Sequence, residues 1–161
     1  MLVALVLAAV GCGHTPPTFE VVGARLAERT DDGVVLEFDL DATNTNQDEL
    51  PLEVASYSLS IDGTRVFTGR RSPEATLRRF GTQRITLPAA IPLEAPADAD
   101  ALTTGLHRYR LEGSITYLAP GVLADVLFDA RVYRPSTRFS DQGQIDFDAP
   151  PSDPEVTTTD E

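Results

Sequence analysis

The sequence predicts an all-β protein, a β-sandwich of about seven strands, and three observations carry that prediction. Apolar and polar residues alternate with a period of two over several stretches between residues 19 and 134, which is the pattern of strands with one buried face. Turn signals separate these stretches at intervals typical of a sandwich. No convincing helix longer than two turns is present. A closed barrel is the alternative architecture, and the sequence alone separates the two poorly.

The amino terminus predicts a lipoprotein signal. Residues 2–10 are an unbroken apolar run, which as a helix would rise about 14 Å and so fall short of the roughly 30 Å bilayer core. The run has the length of the apolar region of a secretory signal. It ends in Ala9-Val10-Gly11-Cys12, and Cys12 is the only cysteine. This order resembles the lipobox of bacterial lipoproteins, in which the cysteine is acylated and becomes the first residue of the mature chain.

We therefore expect residues 1–11 to be the signal peptide and residues 12–18 a polar, proline-containing spacer. Two features depart from the lipobox pattern. Ala9 stands where leucine is usual, and no Lys or Arg precedes the apolar run. The alternative is a buried amino-terminal strand with an inert Cys12, since free cysteine is often buried.

The first strands follow this spacer. The stretch Phe19 to Thr30 shifts its apolar phase near Val22, which indicates a bulge. The stretch Val34 to Ala42 alternates cleanly, and its polar face carries acids at Glu37, Asp39 and Asp41. The next two strands are predicted by an Asp62-Gly63 pair that separates Tyr57-Leu59-Ile61 from Arg65–Arg70, because Asp-Gly between two such runs is a strong hairpin signal.

Three further strands complete the predicted domain, which spans residues 19–135. The set at residues 85–91 contains Pro88, which indicates an edge strand or a bulge. A long strand covers residues 109–117, and the alternating set Val126, Phe128, Ala130 and Val132 predicts the last one. A short helix over Asp98 to Leu106 is possible in the connection before the long strand.

Residues 136–161 predict an acidic tail. Residues 141–161 contain seven acids and no basic residue, and this composition together with several prolines favours disorder. Ile145 and Phe147 leave open a short additional strand.

Composition narrows the classes of function. The chain has 25 acidic residues against 13 basic ones, all arginine, and a net charge of −12. Such a chain repels phosphate, so we expect no nucleic-acid partner. A single cysteine excludes an intramolecular disulfide. Neither His14 nor His107 has a nucleophile placed beside it, and His107 is expected to be an exposed or capping residue. We therefore expect that the protein is not an enzyme and binds no cofactor. The sequence does not predict an oligomeric state.

Two segments are candidates for binding. The loop Asn44 to Glu49 contains Asp48, Glu49 and three amides, so it is a better candidate for a cation than the acidic face of the strand, but strand-ending turn chemistry explains it without a metal. The second candidate is a group of four arginines. The favoured interpretation is that they pair with the acidic strand faces or the acidic tail. The alternative is that they contact an anion or a partner, including anionic lipid head groups. These are Arg70, Arg71, Arg78 and Arg79.

An ordered set of short motifs lies in the centre of the chain. A strand that ends in Asn-x-Asn is followed by the sequence Leu-Pro-Leu and then by the pattern Tyr-x-Leu-x-Ile-Asp-Gly. A small residue followed by glycine comes next, and a Leu-Pro pair, Leu87-Pro88, comes later in the chain. The residues are Asn44, Asn46, Leu50, Pro51, Tyr57, Asp62, Gly63 and Gly69. This order resembles the water-stress and hypersensitive-response (WHy) domain of group 2 late embryogenesis abundant proteins, over about residues 19–134. Thr45 stands where that family has proline.

The resemblance implies a fibronectin-III/immunoglobulin-like sandwich with no catalytic activity. Bacterial members are often secreted or lipid-anchored, and the family is associated with protection against drying, cold or other stress. With acyl chains on Cys12, the chain would be held on the periplasmic face of a bacterial envelope, and Gly13 favours the outer over the inner membrane by the enteric sorting rule. It would protect membranes or proteins there. The alternative is an envelope scaffold that binds a lipid or a protein.

Overall fold

The computed structural model describes residues 14–92 and 104–150 of the chain. They form eight strands and one short helix: β1 Thr18–Arg29, β2 Gly33–Asn44, β3 Leu50–Ile61, β4 Thr64–Arg71, β5 Thr76–Leu77, β6 Gly81–Pro92, β7 Leu106–Tyr117, α1 Val122–Asp129 and β8 Ser136–Asp146. The predicted all-β class is confirmed. The predicted signal peptide, Cys12 and residues 98–103 of the predicted helix Asp98 to Leu106 lie outside the described residues. Leu106 begins β7.

Two antiparallel sheets face each other across one core. The first sheet has the order β1-β2-β6, and the second has the order β4-β3-β7-β8, with β5 paired to the start of β3. Side chains from both sheets fill the space between them, and the rings of Phe38 and Tyr109 meet edge to face with centroids 5.4 Å apart. Among the described residues, no helix has the length and apolar character needed to cross a bilayer.

The strand predictions of the first sheet are confirmed in detail. The alternating apolar side chains of β2, from Val34 to Ala42, are all buried. The register of β1 against β2 shifts between Val21 and Gly23, where the sequence predicts a bulge. Within the described residues β6 pairs only with β2, so Pro88 lies on an edge strand, the position that tolerates a missing N–H.

The predicted Asp-Gly hairpin joins β3 to β4. Ile61 pairs with Thr64, so Asp62 and Gly63 are the two turn residues, and both have positive φ, 47° and 85°. This backbone is the one that a two-residue turn of type I′ requires, and its twist matches that of the strands.

The prediction of a last strand over Val126–Val132 is wrong, because Val122–Asp129 forms α1. Short apolar runs satisfy helical and strand periods alike, and here Val122 and Val126 have the helical spacing of four. Of the four residues predicted to point inward, only Phe128 is buried. The turn after α1 places Arg131 at a φ of 60°, a left-handed conformation common where helices end.

The prediction of an acidic tail from residue 136 onward is also wrong for its first part. Ser136–Asp146 forms β8, which pairs with β7 along its whole length. Phe139, Ile145 and Phe147 are buried in the core, so the folded domain extends past residue 135 to at least Phe147. Burial of these three apolar side chains outweighs the acidic composition of the segment. Residues 151–161 lie outside the described part.

The strand directions define two ends of the sandwich. The amino-terminal end consists of residues 14–18, 44–50, 72–81 and 118–136, which lead into or connect strands there. At the opposite end, β6 stops, β7 starts and β8 stops.

Candidate functional site

Asn44 organises the amino-terminal end. It is the one polar residue that is buried among the described residues. Its Nδ2 donates to the carbonyls of Asp48 (2.8 Å), Arg78 (3.2 Å) and Leu77 (3.4 Å). Its Oδ1 accepts from the backbone N–H and the Nδ2 of Asn46, at 2.9 and 2.8 Å. Because both halves of the amide are bonded, the end of β2 is fixed to the next loop and to the connection before β6.

Asn46 holds the amino-terminal segment in place. Its Oδ1 accepts a hydrogen bond from the Thr15 N–H (2.7 Å), and its Nδ2 donates to the Thr15 carbonyl (2.8 Å). One side-chain amide thereby occupies both backbone groups of Thr15, as a neighbouring strand would. The Asn46 carbonyl accepts from the N–H of Phe80 at 3.1 Å.

His14 and Pro17 add to this attachment. Pro17 is buried. The His14 Nε2 and the Tyr117 hydroxyl share a hydrogen bond of 3.3 Å, and their rings meet nearly perpendicular. Burial raises the pKa of Tyr117. The predicted spacer of residues 12–18 is therefore attached to the domain from His14 onward, which the sequence alone did not indicate.

The other motif residues support the second sheet. Leu50 is buried and pairs with Leu77, and the Pro51 carbonyl accepts from the Leu118 N–H at 2.9 Å. These contacts fix the start of β3 under the segment that leads to α1.

Gly69 lies opposite Tyr57 in the β3–β4 pair. A Cβ at Gly69 would lie 2.4 Å from the Phe67 ring, so glycine leaves the space in which that ring packs against Tyr57, with centroids 5.3 Å apart. The Tyr57 hydroxyl donates to the Pro88 carbonyl, and burial raises the pKa of Tyr57.

Asp62 and His107 form a charged contact at the opposite end. The Nδ1 of His107 donates to the Asp62 carboxylate at 2.6 Å, and its Nε2 donates to the Thr104 carbonyl at 2.7 Å. The second Asp62 oxygen accepts from the Arg108 N–H at 3.0 Å. The hydrogen bond to Asp62 raises the pKa of His107, and the same bond lowers the pKa of Asp62. His107 thus joins the β3–β4 turn to the start of β7, a link that its sequence context did not predict.

The four predicted arginines do not form one cluster. Arg70 and Arg71 are consecutive on β4 and so project to opposite faces of the strand, while Arg78 and Arg79 lie on the β5–β6 connection at the amino-terminal end. All four are exposed, and none forms an ion pair within the described residues.

The acidic face of β2 is instead paired with two other arginines. Arg25, on β1, contacts both Glu37 and Asp39, and Arg84, on β6, contacts Asp41 at 2.9 Å. The favoured interpretation, that the four arginines partner this face, is therefore wrong for these three acids. Cross-strand register decides these pairs, and sequence alone does not supply it.

The loop after Asn44 uses its amides for hydrogen bonds within the protein. In the part of the chain that the structure describes, no group of three or more His, Cys, Asp or Glu residues comes together in a way that could hold a metal ion. An open depression of 540 Å³ lies on the outer face of the second sheet and is lined mostly by polar residues: Ser56, Glu112, Ser114, Arg138 and Ser140, with Gly113 and Phe139.

The amino-terminal end also exposes a set of large apolar side chains that the strand pattern did not reveal. They are Phe80 (68% exposed), Val122 (82%), Val126 (59%), Val132 (72%) and Tyr133 (43%). Val126 and Val132 belong to the predicted strand, and they are exposed because that segment forms a helix and a turn.

Comparison with known proteins agrees with this architecture. Residues 39–131, more than half of the chain, match the sequence model of a protein family that is described as late embryogenesis abundant protein. This match runs from the middle of β2 to the turn after α1. No curated protein matches the chain at a significant level.

Three solved structures share the fold. The solution structure of a proposed late embryogenesis abundant protein has a TM-score of 0.63 at 20% identity, over 81% of this chain and 71% of that one. An Arabidopsis thaliana protein has a TM-score of 0.61 at 17% identity, over 83% of both chains. An Archaeoglobus fulgidus protein has a TM-score of 0.56 at 12% identity, over 80% of this chain and 97% of that one.

Proposed function

The chain belongs to the late embryogenesis abundant protein family, and from this we propose that it is a lipid-anchored envelope protein that protects membranes or proteins during desiccation or related stress. Its domain would be of the WHy type and would act without catalysis. The family is generally not enzymatic, which supports a role through surface and position rather than through a reaction.

The attachment of the amino-terminal segment is the observation that carries the anchored part of this proposal. Cys12 ends the apolar run that resembles a lipoprotein signal, and one residue, Gly13, separates it from His14. From His14 onward the segment is fixed to the sandwich through Thr15 and Asn46. A group on Cys12 would therefore hold the folded domain itself close to the bilayer.

The protective part is supported by family membership and by the outer surface. The chain carries a net charge of −12, and the outward face of the second sheet is rich in hydroxyl and charged side chains, such as Ser56, Ser114 and Arg138. Polar and charged side chains of this kind are strongly hydrated and have little tendency to bind apolar surfaces. We expect protection to follow from a hydrated protein layer held beside the membrane.

Two measurements test the proposal separately. Mass spectrometry of the mature amino terminus, with the Cys12→Ser variant as control, should show an acylated residue 12 in the parent chain only. An unmodified chain that starts at Met1 would contradict the anchor. Survival of drying and freezing by cells that express the parent chain, the Cys12→Ser variant or neither tests the protective role, and equal survival of all three would contradict it.

The alternative is a scaffold that binds one envelope lipid or protein. The polar depression over Ser114 and Arg138 is the surface such a partner would use. Chemical crosslinking of cells followed by purification should then recover one partner in a fixed ratio, and Ser114→Arg should abolish it without releasing the chain from the membrane.

A further inference from the structure

Large apolar side chains that reach solvent are concentrated at one end of the molecule. Of the seven in the described part of the chain, five belong to the amino-terminal end. Val122 and Val126 are four residues apart on α1 and so share a helix face. The N–H groups of Val132 and Tyr133 donate to the Leu127 carbonyl at 2.9 and 3.1 Å, which keeps both residues beside the helix. Exposed apolar groups of this kind mark interaction surfaces.

The same end is where the chain leads to Cys12. Thr15 is paired to Asn46 through both of its backbone groups, so the position of the segment is fixed. A residue spans at most about 3.6 Å, which places the Cα of Cys12 within about 7 Å of the Cα of His14. An acyl group on Cys12 would therefore enter a bilayer at the same end of the domain as the five apolar side chains.

Charge is distributed unequally between the two ends. The amino-terminal end carries four arginines and five acids, which nearly balance: Arg78, Arg79, Arg131 and Arg134 against Asp48, Glu49, Glu74, Asp125 and Asp129. At the opposite end, the described connections, residues 30–32, 62–63, 104–105 and 147–150, contain four acids and no arginine: Asp31, Asp32, Asp62 and Asp148. An anionic lipid surface repels acidic segments, so the opposite end is disfavoured as the contact.

We propose that the amino-terminal end lies against a lipid bilayer, with α1 and Phe80 in the interface and the opposite end directed away from it. This inference rests on the proposed anchor at Cys12 and adds the contact surface and the orientation. Asp125 and Asp129 are exposed on α1 near the two valines, so the helix lies at head-group depth, where short amphipathic elements bind. Because the charges nearly balance, salt should change the contact little.

The chain contains no tryptophan, so a single introduced tryptophan reports its own depth. Val126→Trp places it on α1, and Leu106→Trp places it at the opposite end, where Leu106 is comparably exposed, 64% against 59%. Each full-length protein is purified from membranes and reconstituted into phosphatidylcholine vesicles, with or without lipids brominated near the head group. We expect a blue shift and strong quenching for Val126→Trp and neither for Leu106→Trp.

The state of the amino terminus is measured on the same samples by mass spectrometry. If Cys12 carries no lipid, its thiol in the same chain is coupled to a maleimide head-group lipid and the quenching is repeated. Selective quenching of Val126→Trp would then retain the inference although the natural anchor has failed. Equal quenching of the two tryptophans, or stronger quenching of Leu106→Trp, overturns the inference whatever the state of Cys12.

Discussion

The hydroxyl of Tyr57, on β3, donates a hydrogen bond to the backbone carbonyl of Pro88, on β6. These strands belong to different sheets, so the bond closes one side of the sandwich. Proline has no N–H, and Tyr57 supplies a partner for the carbonyl that the edge strand leaves open. Two motifs that are separate in the sequence, the β3 pattern and the Leu-Pro step, meet at this bond.

Loss of this bond should destabilise the domain. Tyr57→Phe keeps the ring against Phe67 but removes the donor, and we expect the free energy of unfolding to fall by about 1–2 kcal/mol. Urea denaturation followed by circular dichroism measures the change. Tyr133→Phe removes a hydroxyl from an exposed ring and should have almost no effect; an equal loss in both variants would mean that the Pro88 bond contributes nothing.

Replacement of the buried Asn44 side chain should destabilise the domain more than loss of the Tyr57 hydroxyl does. Asn44→Asp substitutes an acceptor for the Nδ2 that donates to three carbonyls, and we expect a loss of about 3 kcal/mol at neutral pH. The loss should shrink in acid, where the new carboxyl gains a proton and can donate. Gln47→Glu makes the same change of charge at an exposed neighbour and should stay within about 0.5 kcal/mol of the parent.

The contact of His107 with Asp62 should make stability depend on pH within a defined window. The pKa of His107 is raised from 6.5, so its contribution is full below 6.5 and is lost as the pH rises through the raised value. The pKa of Asp62 is lowered from 3.8, so its contribution is present above 3.8 and is lost as the pH falls through the lowered value.

The stability difference between the parent chain and Asp62→Asn should therefore be greatest between pH 3.8 and 6.5. Thermal midpoints of both proteins from pH 3 to pH 9 measure it. His14→Gln removes the other histidine and should leave that profile unchanged. A difference that is flat across the whole range would contradict the role of this contact.

Packing around Gly113 should tolerate no side chain. A Cβ there would lie 2.5 Å from the Phe139 ring, 2.7 Å from the Tyr57 Cβ and 2.8 Å from the Ser56 carbonyl. Gly113→Ala should lower the free energy of unfolding by about 1–3 kcal/mol. Gly23→Ala is the matched control, because its nearest neighbour would be an Asp39 oxygen at 3.6 Å. Chemical denaturation of both variants should separate them clearly.

Sequence periodicity predicts the fold where one strand face is apolar throughout. The buried set of β2 and the turn at Asp62-Gly63 are confirmed because both signals are local. The acidic, proline-containing composition of residues 141–161 predicts a tail in place of β8, and Asp141 and Gly143 interrupt the apolar face that would indicate a strand. In the structure Asp141 accepts the Tyr109 hydroxyl at 2.7 Å, and Gly143 leaves room for the same ring. Only the partner strand shows that these two residues fit a core-facing position.

Only part of the candidate site could be predicted, because only part of it depends on local sequence. The Asn-x-Asn pair predicts the end of a strand, and β2 ends at Asn44. The pairing of Asn46 with Thr15 joins residues 31 positions apart, which no local pattern indicates. The sequence does not indicate the exposed face of α1, because the alternation from Val126 to Val132 predicts a buried strand.

The directions of the strands determine where the two ends of the described chain lie. The described chain begins at one end of the sandwich and, after β8, leaves from the other. Strands of 12 residues are about 40 Å long, so about that distance separates the two ends of the sandwich. A label attached near residue 150 would be carried at the other end of the sandwich from His14.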